Sequence, residues 1–226
     1  MTAAVVRAPA TIALAGAPGP WLVADIGGSN ARFGWVPQPG GQPLHVRTLA
    51  VAEYPELLDA VRAYLGGLSH AGLVAGQAQP HSAAFAVATA AHQDRIEFTN
   101  SSWCFSQQEM AGQLGLAGAG ALRVLNDFEA LALSLPRLRS SQWQADERFA
   151  GSARPDFGQA VAVVGPGTGL GVAALLPLAG GKAWQALPGE GGHATLAPQD
   201  DFESALLAAA RREFAHVSAE RLLSGI

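Results

Sequence analysis

Cysteine and charged residues are scarce in this chain of 226 residues. The single cysteine, Cys104, excludes an intrachain disulfide and a zinc cluster built from several cysteines, and it predicts a reducing compartment. Charged side chains make up 14% of the chain, against about 25% in an average soluble domain. The formal net charge is −4 and no stretch clusters Lys and Arg with aromatic residues, which argues against a nucleic-acid partner.

Long hydrophobic runs are also missing. No stretch approaches the roughly 18 apolar residues of a membrane span, so no membrane partner is expected. Residues 1–20, MTAAVVRAPATIALAGAPGP, contain one basic residue and an apolar stretch that Pro9 interrupts. A signal peptide has a more basic start and an unbroken apolar run, so we expect a flexible extension. The predicted location is the cytoplasm.

A pattern of strand, glycine-rich turn and strand occurs twice, in VADIGGSNARFGWV and in VAVVGPGTGLGVAALL. Glycine lets backbone amides approach an anion closely, and successive N–H groups form anion-binding concavities. The alternative is a pair of ordinary hairpins with glycines at positive φ. Three features favour turns that bind phosphate: the carboxylate of Asp25, the hydroxyls of Ser29 and Thr168, and the occurrence of the pattern twice. We therefore expect the two turns to hold a polyphosphate between two lobes.

The two turns supply the residues predicted to bind this polyphosphate. Asp25 would repel phosphate directly, so we expect it to hold Mg²⁺ through water, because Mg²⁺ keeps much of its hydration shell. Two other phosphate motifs do not fit, since the second turn lacks the Lys of a P-loop and the third Gly of a dinucleotide fingerprint. The predicted contacts are Asp25, Gly27, Gly28, Ser29, Asn30, Gly167, Thr168 and Gly169.

The segment LRVLNDFEALALSLP predicts a short strand and then a helix that ends at Pro136. Asp127 would lie at the helix N-terminus, where the dipole favours the ionised carboxylate. Such a carboxylate can accept the hydroxyl proton in phosphoryl transfer. The alternative is that Asp127 or Asn126 only caps the helix. The two phosphate turns favour the catalytic interpretation.

Glu190 and His193 lie in GKAWQALPGEGGHATLAP, which is predicted to be mostly loop. A carboxylate can accept hydrogen bonds from adjacent sugar hydroxyls, and His can donate or accept; the alternative is a solvated loop. The chain then predicts a helix from about Asp201, a break near His216–Ser218 and a second helix. Glu220 lies in the first turn of that helix, where acids are favoured in any case.

Other segments give simpler predictions. Strands are expected in LHVRTLAV and HSAAFAVATA, and a helix in YPELLDAVRAYLGGL, where Leu57, Leu58, Val61 and Leu65 follow helical spacing. Ser106 is expected to cap the helix of QQEMAGQLG, with Glu109 completing a capping box. Cys104 follows Trp103 in an apolar context and is predicted to be a small buried residue.

The chain resembles the bacterial glucokinases of the hexokinase–actin–Hsp70 superfamily over residues 21–226. VADIGGSNARFGWV and GPGTGLGVA are similar to the family's two phosphate turns, and FTNSSWCFS to its T-N-x-x-W stretch. VLNDFEALALSLP is similar to the segment that carries the catalytic aspartate. LPGEGGHATLAP and HVSAERLLSG resemble its sugar-binding segments, and all these motifs follow in the family's order.

The resemblance implies an α/β, two-lobed, ribonuclease-H-like (actin-like ATPase) fold that uses ATP, Mg²⁺ and glucose and gives glucose 6-phosphate. It implies that Asp127 is the catalytic base and that the sugar is bound by Asn126, Asp127, Glu190, His193 and Glu220. In a related sugar-kinase group, the His of a similar segment joins a cysteine cluster on zinc. With Cys104 alone, no zinc is expected. The expected partners are glucose and ATP, and a homodimer is compatible with the family.

The predicted domain limits are an extension at residues 1–20, an N-terminal lobe at 21–136 and a partial C-terminal lobe at 137–226. The second lobe is expected to be incomplete, because these glucokinases continue well past ERLLSG. Two alternatives to glucose phosphorylation stay open. One is a non-catalytic sugar-binding or regulatory fragment of a glucokinase, and the other is a kinase of another hexose.

Overall fold

The described part of the chain forms two compact units. The computed structural model describes residues 19–98, 101–118, 120–144, 154–178, 181 and 183–225. The predicted extension therefore lies outside the described residues, apart from Gly19 and Pro20. One unit extends to Asp127 and the other begins at Phe128. Within the described ranges, no helix combines the length and apolar character that crossing a bilayer requires.

The first unit is built on a five-stranded sheet in the order β3-β2-β1-β4-β7. Its central strands β1, β4 and β7 run parallel, and β2 and β3 are antiparallel additions at one edge. The strands of this sheet are β1 (Trp21–Ile26), β2 (Asn30–Val36), β3 (Leu44–Ala50), β4 (Ser82–Val87) and β7 (Leu122–Asn126).

Alternating burial explains how the sheet meets its core. In β1, Leu22, Ala24 and Ile26 are buried, and the intervening residues are not, as expected for a strand with one face on the core. Helix α1 (Leu57–His70) buries the face that includes Val61 and Tyr64. The rings of Phe33 in β2 and Tyr64 stack with their centroids 5.4 Å apart. The predicted strands and helix of this region are confirmed.

A small ladder completes the first unit. Strand β5 (Arg95–Glu97) pairs antiparallel with β6 (Cys104–Ser106), which leads into α2 (Gln107–Gln113). The Ser106 hydroxyl accepts from the backbone N–H of Glu109 at 3.1 Å, so the predicted N-cap is confirmed. The prediction for Cys104 was wrong, because this side chain is exposed. In β6 the neighbouring Phe105 faces inward and Cys104 therefore faces outward.

The second unit contains a three-stranded antiparallel sheet in the order β10-β9-β8. Ala132 of the helix after β7 packs with Val163, Ala173, Leu175 and Ala186 in its core. The elements of this part of the chain are α3 (Asp127–Ser134), β8 (Val161–Pro166), β9 (Leu170–Leu178), β10 (Ala183–Gly189), α4 (Asp201–Ala210) and α5 (Ala219–Leu223). Both predicted C-terminal helices are confirmed.

Two features of this unit differ from the sequence analysis. The segment predicted as mostly loop contains β10, which pairs with β9 along its whole length from Ala183 to Gly189. Its small residues and its terminal Pro-Gly hide the strand pattern. The division into units falls after Asp127, the first residue of α3, whereas the predicted lobe boundary lies after the helix, at residue 136. The helix groups with the second unit because its apolar face packs on β8, β9 and β10.

Candidate active site

The first predicted phosphate turn joins β1 to β2 as a tight hairpin. The Gly27 N–H donates to the Asn30 carbonyl at 2.9 Å, and the Val51 N–H donates to the Ser29 carbonyl at 2.9 Å. Ser29 and Asn30 are exposed at this turn, and Gly27 and Gly28 are partly buried. The turn is therefore fixed by its own backbone and presents its polar residues to solvent.

Asp25 and Asp127 lie along one edge of the first sheet. Ile26 pairs with Val87 of β4, and Val87 pairs with Asn126 of β7, so the three parallel strands end in one row. Asp127 follows this row directly and begins α3, as predicted. Strand β4 lies between β1, which carries Asp25, and β7, which Asp127 follows, so the backbones of β1 and β7 are roughly 10 Å apart. The carboxyl edge of parallel strands is where open α/β sheets bind ligands.

The amide of Asn126 has a defined partner at this edge. Its Nδ2 donates to the Thr89 carbonyl, which follows β4, at 3.4 Å. The contact joins the ends of two neighbouring parallel strands. It therefore holds Asn126 against the loop after β4.

An open groove of about 610 Å³ adjoins the first turn within the same unit. Gly28 and Ser29 form one side, and the segment from Val51 to Pro55 and the pair Ser101 and Ser102 complete it. Trp103 supports this wall, because its Nε1 donates to the Tyr54 carbonyl at 2.9 Å. Ser101 and Ser102 of the T-N-x-x-W stretch thus contribute to a polar groove beside the first turn, and Thr99 and Asn100 lie outside the described residues.

The carboxylate of Asp25 is 63% exposed and lies beside a basic side chain. Asp25 and Arg32 are directly paired across β1 and β2, and Arg32 Nη1 is 3.7 Å from Asp25 Oδ2. An exposed carboxylate with one distant partner fits a cation held through water. Among the described residues, no group of three or more His, Cys, Asp or Glu side chains is arranged to hold a metal directly.

The second predicted turn joins β8 to β9. The Gly167 N–H donates to the Gly169 carbonyl at 2.7 Å, and Thr168 is exposed at the apex. Neither Gly167 nor Gly169 has φ in the left-handed region, so positive φ does not explain these glycines. A Cβ on Gly169 would lie 2.7 Å from Oε2 of Glu220, so a larger residue at this position would displace that carboxylate.

Phe128 is a residue of this region that the sequence analysis missed. Gly165 and Gly171 face each other across β8 and β9, and the Phe128 ring occupies the space beside them. A Cβ on Gly171 would come within 1.9 Å of this ring. The residue after Asp127 therefore packs into a slot formed by two glycines of the second hairpin. The available signal was the pair of glycines at facing positions, on either side of the turn.

The loop after β10 contains the predicted sugar-binding residues Glu190 and His193. A short 3-10 helix spans Gly191–His193 and packs on β9. Gly192 is buried, and a Cβ at this position would lie 2.1 Å from the Leu170 carbonyl oxygen. Only glycine allows the loop to approach the backbone beside the second turn this closely.

Glu190, His193 and Glu220 come together in the second unit. His193 Nδ1 is 3.5 Å from Glu190 Oε2, and His193 Nε2 is 3.4 Å from Glu220 Oε1. The imidazole therefore lies between two carboxylates. Glu220 also accepts from the Leu170 N–H through Oε2 at 2.8 Å, a contact that the sequence analysis did not predict.

Antiparallel backbone contacts bring these distant segments together. Thr195 and Ser218 form an isolated bridge. The Leu196 N–H donates to the Val217 carbonyl at 3.1 Å, and the Ala219 N–H donates to the Ala194 carbonyl at 3.3 Å. The Ser218 hydroxyl then accepts from the Arg221 N–H at 3.4 Å and caps α5. Glu220 reaches His193 because α5 starts immediately after this bridge.

The chain is similar to known glucokinases. A sequence profile of the glucokinase family matches residues 22–226. A curated glucokinase from Aromatoleum aromaticum is 46% identical over 206 residues, which cover 91% of this chain and 58% of that protein. The crystal structure of a glucokinase from an Antarctic psychrotroph is 34% identical, with a TM-score of 0.73, and the match covers 91% of this chain and 61% of that one.

A more distant structure shows the fold alone. The crystal structure of a Balamuthia mandrillaris glucokinase in complex with glucose is 19% identical, with a TM-score of 0.62 and coverage of 91% of this chain and 59% of that one. These likenesses confirm the predicted α/β fold of the superfamily. The chain spans 58% of the length of the Aromatoleum relative and 59% of that of a second curated glucokinase, from Paramagnetospirillum magneticum.

Proposed function

Because the chain belongs to the glucokinase family, we propose that it transfers the γ-phosphoryl group of ATP to the 6-hydroxyl of D-glucose. The observation that carries this proposal is the position of Asp127. It follows β7 at the carboxyl edge of the first sheet, separated from the Asp25 strand only by β4. A carboxylate at this edge can accept the proton of a hydroxyl that attacks a phosphate bound at the neighbouring turn.

In the proposed reaction, the 6-hydroxyl oxygen forms a bond to the γ-phosphorus as the bond from that phosphorus to the β,γ-bridging oxygen breaks. The proton of the hydroxyl goes to the carboxylate of Asp127, and ADP leaves. Phosphoryl transfer depends mostly on positioning and charge stabilisation. The start of a helix suits a base that must be ionised before the reaction, since the dipole favours the anion.

We assign the sugar hydroxyls to Asn126, Glu190, His193 and Glu220, together with Asp127. The carboxylates can accept hydrogen bonds from hydroxyls, and the imidazole can donate or accept. A site with several such groups rejects a sugar with a different hydroxyl pattern, because the unmatched groups lose their partners. The distances of 3.4 and 3.5 Å around His193 support a common role for the three residues of the second unit.

We assign the phosphates of ATP to the two hairpin turns, with Gly27, Gly28, Ser29 and Asn30 in the first and Gly167, Thr168 and Gly169 in the second. Asp25 is the proposed residue for Mg²⁺, held through water, which its exposed carboxylate supports. When bound, a divalent cation supplies neutralisation of the phosphate oxygens. Arg32 lies beside Asp25 and adds positive charge at the same turn.

The remaining predictions extend this proposal. ATP and glucose are the proposed partners, and neither nucleic acid nor a membrane is among them. A cytoplasmic location agrees with a single cysteine. We expect no zinc for the same reason, because a single cysteine cannot form a cysteine cluster. Homodimer formation stays a prediction.

The proposal is tested by transfer of labelled phosphate from Mg-ATP to glucose by this chain. We expect transfer by the unaltered chain and a loss of about 10²–10⁴-fold in Asp127→Asn, the usual contribution of a general base. Glucose affinity should change much less, because an amide still forms hydrogen bonds with a hydroxyl. Asp201→Asn is the matched control, since Asp201 opens α4 as Asp127 opens α3. Full activity in Asp127→Asn would contradict the assignment of the base.

Sugar binding without transfer is the second candidate function. It is favoured by the grouping of Glu190, His193 and Glu220 within the second unit. Glucose binding by the unaltered chain without any labelled product would support this candidate and overturn the first. A panel of glucose, mannose, fructose and an aminosugar, assayed in the same way, separates glucose phosphorylation from that of another hexose.

A further inference from the structure

The segment that ends the described chain holds the second turn at two points. Oε2 of Glu220 accepts from the Leu170 N–H at 2.8 Å, where the chain leaves the turn. The Gly225 N–H donates to the Gly167 carbonyl at 2.6 Å, where the chain enters it. Both ends of the turn are thus bonded to a stretch of six residues, from Glu220 to Gly225, that includes all of α5 except its first residue.

Glu220 is more shielded than the other carboxylate of the group. Its side chain is 29% exposed, whereas that of Glu190 is 83% exposed. Oε2 also lies against Gly169, where an added Cβ would be only 2.7 Å away. A hydrogen bond from a backbone N–H to a carboxylate is stronger than one between neutral groups. The carboxylate therefore constrains the backbone of the turn as well as facing the sugar-binding loop.

The two oxygens of Glu220 have different neighbours. Oε1 is 3.4 Å from Nε2 of His193, in the loop assigned to the sugar. Oε2 accepts from Leu170 N, which directly follows the turn assigned to ATP. One carboxylate thus connects the proposed sugar-binding loop to the proposed phosphate turn within a single compact unit.

We propose that Glu220 is a positioning residue for the second phosphate turn and that its carboxylate couples this turn to the sugar-binding loop. This inference rests on the proposed function, because it assigns nucleotide to Gly167–Gly169. It predicts that Glu220 affects nucleotide affinity even when no sugar is bound. If Glu220 only bound glucose, its removal would not affect nucleotide affinity when glucose is absent.

The test is the dissociation constant of Mg-ADP, measured calorimetrically without sugar in the full chain. Glu220→Ala removes both contacts, and we expect Mg-ADP to bind at least about tenfold more weakly. Glu220→Gln keeps an amide oxygen that can accept from the Leu170 N–H, so Mg-ADP affinity should recover to within about threefold. Glucose affinity should be weakened in both variants, because both lose the Glu220 carboxylate beside His193.

Two further variants separate positioning from general loss of structure. Glu190→Gln is the matched control, because this carboxylate contacts His193 but is not bonded to Leu170; its sugar-free Mg-ADP affinity should stay within about twofold of the unaltered chain. Gly225→Pro removes the N–H that donates to Gly167 and adds ring carbons beside the Gly167 carbonyl oxygen, from which a Cβ on Gly225 would lie 3.1 Å away. Ser224 before it is already extended, as a residue preceding proline should be. This variant should weaken Mg-ADP binding and leave glucose binding unchanged.

Unchanged sugar-free Mg-ADP affinity in Glu220→Ala, or no recovery in Glu220→Gln, would overturn the inference. Failure of the proposed function gives a different result, namely no Mg-ADP binding by the unaltered chain. In that case hydrogen exchange of the Leu170 amide decides the positioning role. Exchange should be at least about tenfold faster in Glu220→Ala and near its original rate in Glu220→Gln; equal rates in the unaltered chain and Glu220→Ala would reject it.

Discussion

The two units of the chain differ in how they hold their proposed binding residues. In the first unit, a continuous core that includes Leu22, Ile26, Phe33, Tyr64 and Phe85 lies under a five-stranded sheet, and these five side chains are fully buried. The second unit has a core of five buried residues among those described, three of which are alanine (Ala132, Val163, Ala173, Leu175 and Ala186). Large apolar side chains there are exposed, including Val164 at 61% and Phe202 at 75%.

This difference shows two ways of building a site. Burial of apolar surface stabilises a fold by about 25 cal/mol per Å², so the first unit can fix Asp25 and Asp127 through the strands that carry them. The second unit instead joins Glu190, His193 and Glu220 through backbone hydrogen bonds, a carboxylate and glycines that permit close contacts. Substitutions that remove buried side-chain atoms should therefore destabilise the first unit most. Substitutions that add volume at a glycine should destabilise the second unit most.

The largest expected effect is on packing in the first unit. Phe33→Ala removes a fully buried ring that stacks on Tyr64, so the free energy of unfolding of this unit should fall by about 3–5 kcal/mol. Hydrogen exchange of the amides of β1 and β2 measures this change. The control is Phe202→Ala in the second unit, a side chain 75% exposed, for which we expect a change of less than about 0.5 kcal/mol. Equal losses in the two variants would remove the contrast between the cores.

A second prediction uses the ionisation of a core side chain. Burial raises the pKa of Tyr64 to about 12, with Arg47 opposing the shift. A raised pKa in the folded state gives stability that is complete below the ordinary value near 10 and is lost as pH rises through about 12. The free energy of unfolding should thus fall by about 2–3 kcal/mol over this window, measured by urea unfolding at successive pH values.

Tyr64→Phe is the control for this pH dependence. It cannot ionise, and it also loses the hydrogen bond from the Tyr64 hydroxyl to the His45 carbonyl, 3.2 Å long. The variant should start about 1 kcal/mol less stable and show a flatter profile above pH 10. A profile parallel to that of the unaltered chain would assign the pH dependence to other groups.

The smallest predicted effects have opposite signs in the two units. Gly192→Ala would place a Cβ 2.1 Å from the Leu170 carbonyl oxygen, which belongs to backbone, so we expect a loss of about 1–3 kcal/mol in the second unit. Gly112→Ala in α2 meets nothing within 4 Å and should gain about 0.5–1 kcal/mol from helix propensity. Thermal unfolding of both variants shows whether each substitution raises or lowers stability. A Gly192→Ala variant more stable than the unaltered chain would show that the loop is not packed as described.

Local patterns were enough to predict much of this protein. Apolar runs identified most of the strands, helical spacing identified α1, and Ser106 identified the start of α2. The two glycine turns and the position of Asp127 at a helix start were also predictable. Each of these features depends on neighbours within a few residues, where backbone geometry links the sequence directly to structure.

Other features were decided only by the tertiary structure. Strand β10 exists because β9 supplies its hydrogen bonds, and the outward direction of Cys104 follows from the inward packing of Phe105. Phe128 fits a slot that two glycines form only after β8 and β9 pair. The bond from Leu170 to Glu220 joins residues 50 positions apart. A contact over that separation leaves no periodic signal in the sequence, because its partners become neighbours only after the strands and helices between them have packed.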